Sequence, residues 1–479
     1  MRKIFFLGLA ACCLLPSIHG QEMRLRKGSL MDSLPMRDTV ASKISLYLPL
    51  EFESDRKWPL LFICTTDGDM PQTMRYFQQA AESNGFILAA SSALSDSIPL
   101  TEKVLYFSES LKLLDGLLPL SPQQIYVGGY DGGAQFAALL PNMVRSIGGV
   151  LSIASSPPNM ELVRTGSPYH YVAVLGRADY RYAEMEDALA LLDTKRIPNQ
   201  ILYHEEGAQW PEPALLNRAV SMLKLMGMSG GQIPRDSLFI RDQYGYYLEA
   251  AREFRSRGDF ILAYNRVESR EVFDRLTQAG ELRDLERDLR RDNGYKTQRR
   301  AASNIHFREQ ILQADYDFYL EEDVLSFNLD NLGWWRYQME TIGQYKESPK
   351  REDQLLGRRL DGYVNALVDD YIQIARGGEQ PDDAALVLLY MLKTLTQPEA
   401  VENYLSVISL TSKFGDFGTS LFYLEELLKK GYSDQQRLYS LEHTGLLRIS
   451  PEFNALVAKY LKESRYEAPP PPPEDGGLR

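Results

Sequence analysis

The chain has 479 residues, more than one hydrophobic core usually serves, so two or more domains are expected. Its 44% hydrophobic and 25% charged residues are those of a folded protein and exclude disorder over most of its length. A net charge of −12 without a long basic block argues against a nucleic-acid partner and mainly promotes solubility.

Arg2 and Lys3 precede an apolar run from Ile4 to Leu15, which Pro16 breaks before small Gly20. This is the layout of a secretory signal peptide over residues 1–20, too short to span a membrane as a stable helix. Leu9-Ala10-Ala11-Cys12 also fits a lipobox, which would place a lipid anchor on Cys12, although cleavage after Gly20 fits the longer layout better. Either route predicts an exported protein, periplasmic or extracellular, or an outer-membrane lipoprotein. No later segment is long and apolar enough to be a transmembrane helix. The cysteines are Cys12, Cys13 and Cys64. Cys64 closes the apolar run Leu60–Cys64 and reads as a small buried hydrophobe.

From Ile44 to Met228 short β-branched runs alternate with longer amphipathic stretches. Strands are expected at Ile44–Pro49, Leu60–Cys64, Phe86–Ala90, Ile125–Val127, Gly149–Ile153, Tyr171–Leu175 and Gln200–His204. Helices are expected at Met74–Asn84, at Glu102–Leu118 and from Gly132 to Pro141. Strands that alternate with helices predict an α/β fold, a doubly wound and mostly parallel sheet covered on both faces, over residues 21–228.

Ser229-Gly230-Gly231-Gln232-Ile233-Pro234 then reads as a linker over 229–235. Residues 236–467 offer no convincing strand and predict an all-α domain. Glu281 to Leu289 sets leucines on one face and opposite charges three and four apart on the others, an ordinary solvated helix. Arg257-Gly258-Asp259-Phe260 followed by Ala263, and Phe414-Gly415-Asp416-Phe417 followed by Ser420, each read as a helix–Gly–helix turn closed by a small residue. They resemble the turn inside a tetratricopeptide-type helical pair, at a spacing that is not a clean multiple of that repeat. Ser420 to Tyr460, with Ser450-Pro451-Glu452-Phe453, resembles a terminal unit that closes such arrays. Residues 468–479, with Pro469 to Pro473, are expected to be extended or disordered.

The strand Ile125-Tyr126-Val127 runs into Gly128-Gly129-Tyr130-Asp131-Gly132-Gly133-Ala134 and then a helix. Strand, Gly-rich turn and helix form the context of the nucleophile elbow, G-x-S-x-G, whose glycines permit a strained turn between close neighbours. The glycine frame is intact here, and Asp131 stands in the serine position. Further on, Val174 to Asp179 is a strand followed by an acidic turn, and Gly207-Ala208-Gln209-Trp210-Pro211 follows another strand. With Leu48-Pro49 and Trp58-Pro59-Leu60-Leu61-Phe62, these segments resemble the α/β-hydrolase superfamily, in particular secreted dienelactone-hydrolase-like and depolymerase-like esterases. The resemblance covers Ile44 to Met228. It implies that Asp131 holds the nucleophile position, Asp179 that of the triad acid and Ala208 that of the base histidine. Thr65 to Asp69 would then form the oxyanion-hole loop.

Two departures decide what the resemblance implies for activity. A serine nucleophile needs an imidazole to take its proton, and both hydroxyl and imidazole are missing at the matched positions. Haloalkane dehalogenases and epoxide hydrolases of the superfamily use aspartate as nucleophile, yet they too need a histidine to activate water. His170 and His204 are the histidines of this domain and the alternative bases. No metal or cofactor is expected. Asp67-Gly68-Asp69 and Asp382-Asp383 lack a calcium loop's ligand count, no His/Cys cluster offers zinc, and an acid sits amid the glycines where a pyrophosphate would lie. The sequence thus favours a pseudo-hydrolase that binds a protein or peptide partner through its helical domain. The alternative is an active hydrolase of an ester or acyl substrate that uses Asp131 with a rearranged histidine.

Overall fold

A computed structural model describes residues 25–35, 43–66, 70–95, 97–157, 160–378 and 380–466. The expected leader with Cys12, the Asp67-Gly68-Asp69 loop and the proline-rich tail lie outside these residues.

The apolar runs of the first half form one eight-stranded sheet. In chain order its elements are β1 (Leu30–Pro35), β2 (Lys43–Tyr47), β3 (Trp58–Cys64), α1 (Met70–Asn84), β4 (Ile87–Ser91), α2 (Leu100–Leu117) and β5 (Leu120–Tyr130). Then come α3 (Gly132–Met143), β6 (Ile147–Ile153), β7 (His170–Gly176), α4 (Tyr182–Thr194), β8 (Asn199–His204) and α5 (Pro213–Ser229). The strand order is β1-β2-β4-β3-β5-β6-β7-β8. β2 runs antiparallel to both β1 and β4, and the pairs from β4 through β8 are parallel. This is the doubly wound, mostly parallel α/β sheet that the alternation of elements predicts. Alternate residues of each strand enter opposite cores, as a period of two requires. Leu61, Ile63, Tyr126, Val172 and Val174 face α1 and α5, whereas Leu60, Phe62, Val127, Val150 and Ala173 face α2, α3 and α4.

β1 is the strand that sequence reading does not anticipate. Asp32 and Ser33 break its apolar run, and it pairs at the sheet edge through a register irregularity between Met31 and Leu34. An edge strand needs only one ladder and can be short and polar.

The second half is helical. Its helices are α6 (Ser237–Ser256), α7 (Phe260–Glu268), α8 (Arg270–Phe273), α9 (Gly280–Arg291), α10 (Asn293–Ser326), α11 (Leu332–Lys346) and α12 (Arg351–Arg376). α13 (Asp383–Thr396), α14 (Val401–Lys413), α15 (Phe417–Lys429), α16 (Gln435–Ser440), α17 (Gly445–Arg448) and α18 (Pro451–Leu461) complete it. The two Gly-Asp turns close alike. Gly258 and Gly415 adopt φ of +78° and +75°, the left-handed region that glycine enters without a Cβ penalty. Asp259 and Asp416 cap the following helices by accepting from Leu262 N and Thr419 N. Ala263 and Ser420 are buried where the helices cross. At the far end Ser450 caps α18, and Phe453 anchors it in the last core.

The segment expected as a linker is packed. Gln232 N and Ile233 N both donate to Gly227 O, Gln124 Nε2 donates to Gln232 O, and Ile233 is buried against Gly227. The core on the α5 face of the sheet continues without a break into α6–α9 through Ile240, Tyr247, Phe273 and Leu282. Composition changes at Ser229, but the hydrophobic core does not end there. α7 also covers the open edge of β8, where Asn265 Nδ2 donates to Ile201 O at 3.0 Å.

Candidate functional site

The turn from β5 into α3 has elbow geometry. Asp131, a non-glycine residue, sits at φ 48°, ψ −121°, a strained conformation kept only where the surroundings over-determine it. The surroundings do so. A Cβ on Gly129 would lie 2.6 Å from Gly133 C and 2.7 Å from Cys64 O, and one on Gly133 would lie 2.1 Å from Cys64 O. Strand and helix can pass this close only without side chains there. Asp131 N also donates to Ile153 O at 3.0 Å. The Asp131 carboxylate is thereby presented at the C-terminal end of the parallel strands, where open α/β sheets carry their clefts.

The two other aligned positions lie at the same end of the sheet. The turn after β7 carries Asp179, and the segment after β8 runs alongside it: a Cβ on Gly176 would lie 2.1 Å from Glu206 O. Tyr130, next to Asp131, donates from its hydroxyl to Ala208 O at 3.0 Å. Trp210 stacks on Tyr130 at 4.5 Å and on Tyr76 at 4.7 Å, so aromatic packing holds the Gly207–Pro211 turn over the elbow.

Arg181, which sequence reading passes over, is the central residue. Its Nη2 donates to Asp131 Oδ1 at 2.5 Å, its Nη1 to Ala154 O at 2.5 Å, and its backbone N to Asp179 Oδ1 at 2.9 Å. The guanidinium is largely buried and the Asp131 carboxylate about half exposed. Asp179 is fully buried, and its Oδ2 has no hydrogen-bond partner. Burial pushes its carboxyl up to about 6, with the Arg181 amide and guanidinium opposing.

The alternative bases lie elsewhere. His170 begins β7, at the other end of the strands. It is buried, its Nε2 lies 3.1 Å from Leu223 O, and burial lowers its pKa to about 4. His204 ends β8, three strands and roughly 14 Å across the sheet from β5. Its Nε2 is buried without a partner, and burial lowers its pKa against Glu206 and Glu205. Among the described residues neither histidine bonds to Asp131, whose carboxylate partner is Arg181.

A cleft of about 900 Å³ opens above the elbow. Thr65, Thr66, Tyr130, Asp131, Tyr180, Arg181, Glu184 and Trp210 form one wall, and Tyr363, Leu367, Asp369 and Asp370 of α12 form the opposite one. Of the expected oxyanion-hole loop, Thr65 and Thr66 line the cleft and residues 67–69 lie outside the described residues. The α12 wall is held by ion pairs and hydrogen bonds, some within the helical half and some reaching the sheet half. Arg351 binds Glu205 and Asp259, Arg177 binds Asp259, and Arg359 pairs with Glu309 at 2.7 Å while donating to Arg177 O at 3.0 Å. The carboxyl of Asp370 is raised by burial and by the nearby charges of Asp369 and Asp131. No sequence signal links α12 to the elbow, because nothing in its periodicity names its neighbour.

Among the described residues no three His, Cys, Asp or Glu side chains are grouped to hold a metal ion. Asp382 and Asp383 have structural partners: Asp382 caps α13 by accepting from Ala385 N, and Asp383 pairs with Lys413. None of the described helices is long and apolar enough to cross a membrane.

No protein-family model matches the chain, and no curated protein matches it. Among solved structures it is similar to an esterase of Rhizomucor miehei, at 12% identity over 41% of this chain and 83% of that one, with a TM-score of 0.36. It is also similar to an S-formylglutathione hydrolase of Staphylococcus aureus, at 14% identity over 42% and 98%, with a TM-score of 0.34. Esterase 2 of Thermogutta terrifontis, phosphonylated by sarin in its structure, is 11% identical over 44% and 99%, with a TM-score of 0.36.

Proposed function

We propose that this protein is a pseudo-hydrolase: a hydrolase-like domain that binds a ligand at the elbow without turning it over, joined to a degenerate helical-repeat platform for a protein or peptide partner. The observation that carries this reading is the Asp131–Arg181 pair. A carboxylate nucleophile needs a base to activate water against the covalent intermediate, and a cation on one of its oxygens draws charge from the other. Here Asp131 Oδ1 is held by a guanidinium, and among the described residues no imidazole bonds to the carboxylate. The lining sets Asp131, Glu184, Asp369 and Asp370 against Arg181, with Tyr130, Tyr180, Tyr363 and Trp210 as aromatic surface. That balance disfavours anions and suits a neutral or cationic ligand with an apolar face. The same reading has the protein exported, its leader removed after Gly20 or its Cys12 lipidated.

The test is direct. The purified protein is expected to hydrolyse short acyl esters no faster than a heat-inactivated sample. Turnover above that control that disappears in Asp131→Asn would overturn the proposal and restore the hydrolase reading.

A further inference from the structure

The 34-residue helix α10 has two apolar faces. One packs inward through Ile305, Tyr316 and Leu320, joined by Glu309 in its pair with Arg359. Diametrically opposite, Phe307, Ile311, Phe318 and Leu325 are 65%, 46%, 58% and 76% exposed. At 100° per residue these four fall within a strip about 40° wide, which exposed Ala314 widens to about 60°. A continuous apolar stripe of this kind on a folded surface marks an interaction site.

The charges along the helix indicate what covers it. Its N-terminal half carries Lys296, Arg299, Arg300 and Arg308, and its C-terminal half carries Asp315, Asp317, Glu321 and Glu322. Among the described residues Arg308 and Glu322 have no side-chain hydrogen bond or ion pair. Such a helix complements a second copy of itself only when the copy runs antiparallel.

We infer that α10 pairs antiparallel with α10 of a second copy of this chain, forming a two-fold symmetric dimer through the Phe307–Leu325 stripe. One register satisfies the stripe. Phe307 faces Leu325 of the second copy, and small Ala314 faces Phe318, large against small, as interdigitating helices require. The same register sets Arg308 beside Glu322 of the second copy, twice by symmetry. It costs like-charge contacts on either side of the axis, Asp315 and Asp317 each with its own copy, and sets Ile311 opposite Glu321 of the second copy. The pairing does not depend on how the cleft is read.

Sedimentation velocity of the full chain, from about 1 to about 100 µM, reads the outcome. A concentration-dependent dimer is expected. Phe318→Glu should leave a monomer with an unchanged circular-dichroism spectrum, because the side chain is exposed. Arg308→Glu and Glu322→Arg should each weaken the dimer by about tenfold, and the double reversal should restore it, because only the antiparallel register makes them partners. A wild-type monomer throughout this range would overturn the proposal and leave the stripe to another protein. A dimer indifferent to Phe318→Glu, or a double reversal that fails to recover, would overturn it equally.

Discussion

Asp179 keeps one carboxylate oxygen unpaired in the protein interior, and this has a consequence in pH. Its folded-state pKa is raised to about 6 from an ordinary 3.8. Between those values the folded state binds more protons than the unfolded chain, so stability falls as pH rises across that window and the loss is constant above it. Asp179→Asn keeps an acceptor for Arg181 N and removes the buried charge. It should match the wild type near pH 4 and exceed it near pH 7.5, by at most about 3 kcal/mol for a shift of this size. Urea unfolding at both pH values measures it, and an advantage independent of pH would exclude a titration origin. The unpaired oxygen also bears on the proposed loss of catalysis. Asp131→Ser with Ala208→His should give weak esterase activity where either change alone gives none, because nucleophile and base act as a unit. Once Asp131 is gone, the Arg181 guanidinium is the nearest cation free to take Asp179 Oδ2, in competition with the introduced imidazole. Adding Arg181→Ala should therefore raise kcat above that of the double variant. Ester kinetics decide this, and a folded triple variant as inert as the parent would mean that the aligned positions do not converge.

At the scale of elements, much was legible in the sequence and the remainder was hidden for physical reasons. The strands β2 to β8 stand out as apolar, β-branched runs between turns, and the elbow stands out because only glycines tolerate the approach of Cys64 O. β1 is not legible, since an edge strand carries no such run. Arg181 is hidden differently. It lies two residues beyond Asp179, but its side chain reaches fifty residues back to Asp131, a tertiary fact with no local signature. The α12 wall is hidden in the same way. Helical periodicity shows that α12 has a buried face, not that Arg359 on that face joins Glu309 to Arg177 O. That pair is almost completely buried. Arg359→Met would leave Glu309 charged and unpaired in the interior, at a cost of about 3–5 kcal/mol, whereas adding Glu309→Leu should recover most of it. Thermal unfolding of the single and double variants checks this. A double variant no better than the single would show that packing, not the stranded charge, sets the loss.

For the whole molecule, the change of composition at Ser229 suggests two separable bodies, and the packing suggests otherwise. Ile233 is buried beside Gly227, Gln232 is tied to Gln124, and one hydrophobic cluster runs from the sheet through α5 into α6–α9. The ion pairs of Arg351 and Arg177 with Glu205 and Asp259 close a second contact at the cleft. A protease needs a segment that opens locally at little cost, and cutting within 229–235 requires Ile233 and its backbone bonds to leave the core first. Limited proteolysis should therefore spare this segment in its early cuts. The sheet and α6–α9 should also unfold together, because exposing one side of a shared core removes the support of the other. Ile233→Asp tests both expectations at once. A carboxylate at this buried apolar position should destabilise the shared core by about 1–3 kcal/mol, lowering the midpoint of its transition without dividing it, and should make 229–235 an early site of cleavage. Calorimetry combined with timed proteolysis reads the outcome. If Ile233→Asp left the calorimetric transition of the sheet in place and shifted only a separate helical one, the two halves would be independent domains joined by a linker that happens to be well packed.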